Sequence, residues 1–362
     1  MNKIKSAYIH IPFCRQKCRY CSFVSFAQTE KKDIYLEALK KEIKARYNGE
    51  TLQTLYFGGG TPSLLSSQEF EAVISLFKIN KTTEITAELN PEKLSEEYLK
   101  ELKAAGINRL SIGCQTFDEK ILNAIGRKHT PKDVEFAVKT AQDNGFANIS
   151  LDFIYGLPEQ TLESFTDDLS LAQSLDIQHI SLYGLKIEQG CWFYENQPSN
   201  IADEDLQAEM YLAAIEVLND FEHYEISNFA KPGFRSRHNL NYWNNVNYYG
   251  FGLASHGYEG NTRYSHFQSL DKYVSCPCEF ETKTELSTQE KLEEEIFLGF
   301  RKMDGLDIKK INEKFSIDFD KKFRNILDKY LKSRHLLKTQ IGYRLSNEGI
   351  LVSNVILSEF IE

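Results

Sequence analysis

Three of the seven cysteines lie within eight residues near the start of the chain. Cys14, Cys18 and Cys21 form a C-x3-C-x2-C pattern directly after the apolar stretch AYIHIPF. Clustered thiolates of this kind are soft ligands for zinc or for iron–sulfur clusters. A structural zinc site usually has four ligands, so a distant His or Cys would have to complete it here. Three thiolates on a four-iron cluster would instead leave one iron open for chemistry.

The remaining cysteines do not supply a second ligand pair. Cys276 and Cys278 are one residue apart, whereas Cys114 and Cys191 are solitary, so the chain has no second C-x2-C pattern. The total of seven is odd, which argues against complete intramolecular disulfide pairing. Spacing alone therefore leaves both the zinc and the iron–sulfur interpretations open.

The composition of the 362-residue chain is ordinary for a globular protein, with 41% hydrophobic and 26% charged residues. A net charge of −9 argues against a broad nucleic-acid surface, and no nucleic-acid partner is predicted. The chain begins without a signal-peptide apolar run, and no stretch has the length of a membrane span. These features predict a cytoplasmic protein with no integral membrane segment. In that reducing compartment, clustered cysteines more often bind metals than form disulfides.

Short apolar strands alternate with amphipathic helices through the first half of the chain. Apolar residues at helical spacing predict one helix from Lys31 to Tyr47. Two more helices have recognisable starts, one at the capping box Ser66-x-x-Glu69 and one at Thr130-Pro131, its N-cap and first residue. Six β/α units in series predict an α/β fold whose parallel sheet has right-handed crossovers, either a partial barrel or an open sheet. The six predicted strands are AYIHIPF, TLYFGGGTP, EITAELNPE, RLSIGCQTF, NISLDFIYGLP and HISLYGLKIE.

Polar residues recur near the ends of these predicted strands. The cysteines follow the first strand, Gly58-Gly59-Gly60-Thr61 follows the second, and Glu88 and Gln115 lie near the ends of the third and fourth; Asp152 lies within the fifth. In a β/α barrel, ligands gather at the C-terminal ends of the strands. The pattern therefore predicts an iron–sulfur cluster and an organic ligand that share the mouth of the barrel.

The cysteine spacing, with Tyr20 just before the last cysteine, resembles the signature of radical S-adenosylmethionine (SAM) proteins. The segments YIHIPFC, YFGGGTPS, ELNP, GCQTF, GRKHT, LDFIYGLP and RHNLNYW are similar to one branch of that superfamily, over about residues 7–362. This branch contains the oxygen-independent coproporphyrinogen III dehydrogenases and the HemW-type haem chaperones. The resemblance implies a partial (β/α)6 radical SAM barrel. It also implies that the three cysteines hold a [4Fe–4S] cluster, with SAM bound to the fourth iron through its amino and carboxylate groups.

The resemblance further implies which residues contact SAM. Glycines suit such a site because they let the backbone approach a ligand closely. A carboxylate such as that of Glu88 can accept a hydrogen bond from an ammonium group or a ribose hydroxyl. The positions that match the SAM contacts of the branch are Tyr8, Gly59, Gly60, Thr61, Glu88, Gln115, Arg127 and Asp152.

Two features favour the chaperones over the dehydrogenases. The dehydrogenases follow their third cysteine with x-Cys, whereas Ser22 and Phe23 follow Cys21 here. The dehydrogenases also carry an N-terminal extension that helps to build the substrate site, and the early position of Tyr8 leaves no room for one. Coproporphyrinogen III dehydrogenase activity is therefore predicted to be absent, and it stands as the alternative function. A zinc-bearing DNA-binding protein is a third interpretation.

The segment RHNLNYW resembles the HNxxYW motif that is associated with haem in the HemW branch. A His can ligate haem iron, and aromatic side chains can cover a porphyrin face, although a His beside a Trp by itself is more often packed in a core. His256 is a second, weaker candidate ligand. The haem residues implied by the resemblance are His238, Asn239, Tyr242 and Trp243.

The predicted organisation has three parts: a radical SAM core at residues 1–225, a connecting segment with the haem motif at 226–285, and a C-terminal HemN/HemW-type domain at 286–362. The last part is predicted as three helices, a hairpin near LLKTQIGYRL and a helix that opens at Ser346. This order resembles a small winged-helix-like α+β domain, but its nearly balanced charge argues against DNA binding. The expected function is a haem chaperone that binds the cluster, SAM and haem and delivers haem to a client haemoprotein.

Overall fold

A sheet of nine strands forms the centre of the molecule. The structure is a computed structural model that describes residues 3–361. Its six central strands are parallel and lie side by side in chain order, as the alternating pattern predicts. The predicted α/β fold class with a partial barrel is thus confirmed. The six strands are β1 (Ser6–Ile11), β2 (Thr54–Gly59), β3 (Glu84–Leu89), β4 (Arg109–Gln115), β5 (Ile149–Tyr155) and β6 (His179–Gly184).

Helices connect the parallel strands and begin where the capping residues predict. The Ser66 side chain accepts from the Glu69 backbone N–H. In the helix that begins at Pro131, the Thr130 side chain likewise accepts from the Asp133 backbone N–H. The helix predicted from Lys31 to Tyr47 spans Lys32–Arg46. The helices are α1 (Lys32–Arg46), α2 (Ser67–Ile74), α3 (Glu96–Ala104), α4 (Glu119–Ala124), α5 (Pro131–Asp143), α6 (Leu162–Ser174), α7 (Trp192–Glu195) and α8 (Glu204–Val217), and two 3-10 turns lie at Thr29–Lys31 and Pro62–Leu64.

The two faces of the parallel sheet differ in chemistry. Side chains alternate along a strand, so residues paired across parallel strands point to the same face. One face carries buried apolar side chains such as Ile9, Phe57 and Leu151, which pack under the helices. The opposite, inner face is polar along all six strands and has the registers Tyr8–Tyr56, Glu88–Ser111 and Asp152–Ser181. The inner face is therefore built to contact polar ligands rather than a second layer of core.

Short strands extend the sheet at both edges. β7 (Glu222–Glu225) and β8 (Asn228–Ala230) add antiparallel strands beyond β6, and β9 (Tyr249–Phe251) pairs in parallel with β1. Residues 226–285, predicted as a connecting segment, thus contribute β8 and β9 to the central sheet. The rest of the segment contains α9 (Arg237–Trp243), α10 (Leu270–Ser275) and an antiparallel sheet of β10 (His256–Glu259), β11 (Thr262–Ser265) and β12 (Thr282–Glu285).

The C-terminal part has a second apolar cluster, centred on Phe300, Phe319 and Phe360, which Tyr211 of α8 joins. Its predicted hairpin is present, and Ser346 caps the helix that follows it. Within residues 3–361, no helix is both long and apolar enough to cross a membrane. The elements are α11 (Thr288–Gly299), β13 (Leu306–Asp307), α12 (Ile308–Phe315), α13 (Phe319–Lys322), α14 (Arg324–Lys332), β14 (Leu336–Lys338), β15 (Gly342–Leu345), α15 (Asn347–Leu351) and α16 (Ser353–Ser358).

Candidate functional site

The cysteine loop leaves β1 and closes on itself. The Cys14 backbone N–H donates to the Phe26 carbonyl at 3.0 Å, and the Phe26 N–H donates to the Pro12 carbonyl at 2.7 Å. Within the loop, the Cys21 N–H donates to the Cys18 carbonyl at 3.2 Å. All three thiols are free and partly exposed. The loop therefore presents its three sulfurs at the C-terminal end of the first strand.

Two donors from other elements reach the sulfurs of this loop. The Thr61 hydroxyl donates to Cys14 Sγ at 3.3 Å, and Arg127 Nη1 lies 3.7 Å from Cys18 Sγ. Burial, together with the neighbouring Cys18 and Cys14 sulfurs, raises the pKa of Cys21 to about 11. Hydrogen bonds to sulfur stabilise thiolates and tune iron–sulfur clusters. The donor set therefore fits three cluster-bound thiolates, whose charge the metal would offset.

The zinc interpretation needs four ligands around a single ion. Among the residues that the structure describes, no three His, Cys, Asp or Glu side chains converge in a way that could hold one metal ion. A four-iron cluster makes a different demand, because each thiolate binds a separate iron.

The glycine segment after β2 packs directly against the cysteine loop. A Cβ atom on Gly60 would lie 2.7 Å from the Phe13 carbonyl oxygen and 2.9 Å from that of Ile11, both backbone atoms that cannot move aside easily. Gly59 has a φ of +112°, which favours glycine, and its N–H donates to Glu88 at 3.1 Å. These glycines let a backbone segment lie between the cysteine loop and the inner face of the sheet.

Glu88 is held on the inner face by two donors. Tyr56 donates from its hydroxyl to Oε1 at 2.8 Å, and the Gly59 N–H donates to Oε2. Burial raises the pKa of Glu88 to about 7, with a further contribution from the charge of Asp152. An ammonium or hydroxyl donor of a bound cofactor would favour its ionised form.

Asp152 stands on the same face and accepts from the hydroxyls of Ser111 at 2.8 Å and Ser150 at 3.1 Å. Burial raises its pKa, and these serines oppose that shift. The predicted residue Tyr8 stacks on Tyr56 with ring centroids 6.1 Å apart, and its hydroxyl lies 3.1 Å from a ring nitrogen of His10. The inner face thus brings Tyr8, Glu88 and Asp152 together.

Gln115 and Arg127 complete the predicted set at the ends of β4 and α4. Gln115 has a φ of +64° at an irregularity in the β4–β5 pairing, and its buried Oε1 has no hydrogen-bond partner in the described part of the chain. Such an orphaned acceptor fits a donor supplied by a ligand. Arg127 Nη2 donates to the Gly113 carbonyl at 2.7 Å, which fixes the guanidinium between β4 and the cysteine loop.

Sequence reasoning missed the residues that position these groups. His129 Nδ1 lies 3.3 Å from Arg127 Nε, and its Nε2 lies 3.1 Å from the Cys114 carbonyl. Burial lowers the pKa of His129 to about 3, so the ring is neutral, accepts from Arg127 and donates to Cys114. Tyr56 and Ser111 were missed as well. Only their alternation along β2 and β4 could have indicated that they share a face with Glu88 and Asp152.

The helix with the HNLNYW segment, α9, lies at the opposite end of the strands. The Glu84 carboxylate accepts from the His238 N–H at 3.0 Å, and Asn241 Nδ2 donates to the Ser6 hydroxyl at 2.6 Å. Ser6, Thr54 and Glu84 are the first residues of β1, β2 and β3. α9 thus closes the N-terminal end of the inner face, about 17–20 Å from the cysteine end for strands of this length.

His238 is enclosed within this closure and is 1% exposed. Its Nδ1 lies 2.8 Å from the Thr54 hydroxyl, its Nε2 lies 2.8 Å from the Tyr242 hydroxyl, and its ring stacks on Tyr56. Burial lowers its pKa to about 3. Both ring nitrogens are engaged, so ligation of haem iron by His238 would require one of these bonds to break.

The other haem candidates lie in different environments. The Asn239 N–H is bonded to the Ser236 cap at 3.3 Å, whereas Tyr242 and Trp243 reach the wall of a surface pocket. His256 is exposed at the start of β10, just beyond the end of β9 and on the cysteine side of the sheet. The structure therefore separates the four motif residues from His256. Their assignment to haem stays a prediction.

Comparisons with known proteins show the family of this chain. A family model of the Radical SAM superfamily matches residues 8–172, and one of the HemN C-terminal domain matches residues 286–352. The heme chaperone HemW of Bacillus subtilis is 38% identical, over 99% of each chain. The HemW of Lactococcus lactis is 36% identical over 100% of this chain and 98% of its own. This chain belongs to the HemW family.

HemW relatives thus match the chain over its whole length, and the superfamily implies a [4Fe–4S] cluster and SAM as cofactors. The coproporphyrinogen III oxidase HemN of Escherichia coli, described as a radical SAM enzyme, superimposes with a TM-score of 0.87. It covers 99% of this chain and 90% of its own at 22% identity, a likeness that shows the fold.

Proposed function

We propose that this protein is a haem chaperone that binds a [4Fe–4S] cluster, SAM and haem and transfers haem to an acceptor haemoprotein. The observation that carries the proposal is the full-length likeness to proteins named heme chaperone HemW, in a chain that keeps the three-cysteine loop. A cytoplasmic location belongs to the same proposal.

The residues at the cysteine end would hold the two cofactors. Cys14, Cys18 and Cys21 would each bind one iron, and Thr61 and Arg127 would donate to the sulfurs of Cys14 and Cys18. When bound, the cluster supplies one iron without a protein ligand, which SAM would occupy.

The inner face supplies the acceptors for SAM. Glu88 and Asp152 offer carboxylates held by Tyr56, Ser111 and Ser150. Gln115 adds an acceptor that has no protein partner among the described residues. Glu88 and Asp152 would orient donor groups of the cofactor, while the polar inner face replaces the hydrogen bonds that those groups make to water.

A second candidate is oxidative decarboxylation of coproporphyrinogen III. The likeness of fold to HemN favours it. The residues after Cys21 argue against this activity. The dehydrogenases of the branch that the chain resembles have x-Cys after their third cysteine, whereas this chain has Ser22 and Phe23. The haem chaperone is therefore the leading proposal.

One experiment separates the two functions. The protein is reconstituted with iron and sulfide under anaerobic conditions, and haem binding, haem transfer to an apo-haemoprotein and coproporphyrinogen III turnover are measured side by side. We expect haem binding and transfer without turnover. Robust turnover with reductant and SAM would contradict the chaperone proposal.

Matched cysteine variants test the cluster ligands. Replacing Cys14, Cys18 and Cys21 with Ala should abolish the visible iron–sulfur absorbance, because no thiolate would remain in the loop. Replacing Cys276 and Cys278 with Ala is the control and should leave the absorbance intact. The opposite pattern would remove the loop from the cluster site.

A further inference from the structure

The side chain of Tyr56 contacts both the predicted SAM site and α9. Its hydroxyl donates to Glu88 Oε1 at 2.8 Å. Its ring stacks on that of Tyr8, with centroids 6.1 Å apart and planes at 24°, and on that of His238, with centroids 4.9 Å apart and planes at 26°. Tyr8 and Glu88 are predicted SAM contacts, whereas His238 belongs to the HNLNYW segment. Tyr56 therefore brings the histidine of this segment within one side chain of the SAM site.

The His238 ring is held in a fixed orientation where it meets Tyr56. Its Nδ1 lies 2.8 Å from the Thr54 hydroxyl, and its Nε2 lies 2.8 Å from the Tyr242 hydroxyl. Thr54 precedes Tyr56 by two residues on β2, so both side chains point to the inner face of the sheet. The imidazole is thus fixed along the same face as Tyr56, and a ring held at both nitrogens gives rigid support to the ring that stacks on it.

The orientation of the Tyr56 ring affects the charge of Glu88. Burial holds the pKa of Glu88 at about 7, and the hydrogen bond from the Tyr56 hydroxyl acts in the opposite direction and lowers it. Burial also raises the pKa of Tyr56, so its hydroxyl keeps its proton and stays a donor. If the ring turned away, the carboxylate would lose this donor, and less of it would be ionised near neutral pH.

The other charged and titratable groups that face Glu88 do not depend on His238 for their charge. Burial lowers the pKa of His238 itself to about 3, so the imidazole is neutral at the pH values of interest. Asp152 keeps its donors Ser111 and Ser150 whatever residue stands at position 238. The groups that face Glu88 are Tyr8 on β1, Tyr56 on β2, Arg109 on β4, Asp152 on β5, Tyr183 on β6 and Tyr242 on α9.

We propose that His238 is a positioning residue of the SAM site, which acts by holding the Tyr56 hydroxyl against Glu88. This inference rests on the proposed contact between Glu88 and SAM. It gives the histidine of the HNLNYW segment a role that needs no iron. It also makes cofactor binding near the C-terminal ends of the strands dependent on the helix that closes their N-terminal ends.

The test is equilibrium binding of SAM to the reconstituted full-length protein at pH 7 and pH 9. Tyr56→Phe keeps the ring and removes the donor, which should raise the pKa of Glu88 by about one and weaken SAM binding about three- to fivefold at pH 7. At pH 9 most Glu88 is ionised in both proteins, so the two affinities should differ by less than about twofold. His238→Ala removes the supporting ring and should give the same pattern.

A double variant separates this role from a general loss of packing. In the Tyr56→Phe background, His238→Ala should weaken SAM binding by less than about twofold more, because the donor that it positions is already absent. His223→Ala is the matched control, since the His223 ring stacks on Phe229 with centroids 4.3 Å apart, and five strands of the sheet lie between β7 and β2. It should bind SAM like the unmodified protein. Cluster absorbance checks that each variant is folded.

The possible failures can be told apart. Normal SAM affinity of His238→Ala at pH 7, when Tyr56→Phe binds SAM more weakly, would overturn the role of His238. An additive double variant, or an equal loss at pH 7 and pH 9, would overturn it as well. Normal binding by both Tyr56→Phe and Glu88→Gln would instead remove Glu88 from the SAM site, and the inference would fall with it. The haem chaperone proposal is tested separately, because none of these measurements involves haem.

Discussion

The pKa of Glu88 predicts a pH dependence of SAM binding that a single substitution should remove. Burial holds this pKa at about 7 in the cofactor-free protein. The ionised fraction of Glu88 then rises from about a tenth at pH 6 to about nine-tenths at pH 8. If the carboxylate accepts a hydrogen bond from a donor group of SAM, only the ionised fraction contributes this interaction.

The expected magnitude follows from the bond that is lost. A charge-assisted hydrogen bond contributes about 1.5–3 kcal/mol, which corresponds to roughly tenfold or more in affinity. At pH 8, Glu88→Gln should therefore bind SAM at least about tenfold more weakly than the unmodified protein. At pH 6 the ratio of the two affinities should be about six- to tenfold smaller than at pH 8, because only about a tenth of Glu88 is ionised there.

The assay is equilibrium binding of SAM to the reconstituted protein at pH 6, 7 and 8 under anaerobic conditions. The ratio of the two affinities is the informative quantity, because titration of SAM itself affects both proteins equally. Glu96→Gln, an exposed carboxyl group in the first turn of α3, is the control and should give a ratio near one at every pH. A ratio for Glu88→Gln that is the same at pH 6 and pH 8 would refute the reasoning.

Glu88 affects the stability of the cofactor-free protein in the opposite direction to its effect on SAM binding. Folding raises the pKa of Glu88 above its ordinary value of 4.5, so this group favours the folded state at low pH and loses that contribution as the pH rises through 7. The cofactor-free Glu88→Gln variant should therefore be more stable than the unmodified protein at pH 8, by up to about 3 kcal/mol, and not at pH 4. Urea unfolding at the two pH values measures the difference.

Three further predictions follow from contacts described above. Gly60→Ala should lose the cluster absorbance, because its Cβ would collide with the Phe13 carbonyl. Gly49→Ala strains the backbone at a φ of +85° but meets no atom within 4 Å, so it should keep the absorbance. Asp152→Asn should weaken SAM binding roughly tenfold in equilibrium dialysis while iron content is unchanged. Glu42→Leu should cost about 3–5 kcal/mol in urea unfolding, because this fully buried carboxylate accepts from the Tyr273 hydroxyl at 2.6 Å and pairs with the partly buried Arg46. A loss under about 1 kcal/mol would contradict that role.

The parts of the fold that depend on local sequence were predictable. The six parallel strands and the capped starts of α2 and α5 follow from alternation and capping residues that lie within a few positions of each other. β8 and β9 were not predicted, because each is three residues long and exists only through pairing with a distant strand. Pairing over such distances depends on tertiary packing rather than on the propensity of three residues.

The candidate site also has parts that the sequence predicts and parts that it does not. The cysteine loop and the glycine segment are marked by spacing and residue type, and the structure brings Thr61 to Cys14. The environment of His238 could not be read from its motif, because the direction in which α9 presents each side chain depends on Thr54 and Glu84 far away in the sequence. Resemblance identifies the segment but not the surroundings of its histidine.

The pairing of β1 with β9 has a consequence for the synthesis of the chain. β1, which leads into the cysteine loop, pairs on one side with β2, but its other neighbour begins at Tyr249. At usual rates of translation, about 12 to 50 s pass between the two strands. During that interval β1 is a free sheet edge able to pair with other chains. Nascent chains truncated before Tyr249 should therefore aggregate, and complete ones should not.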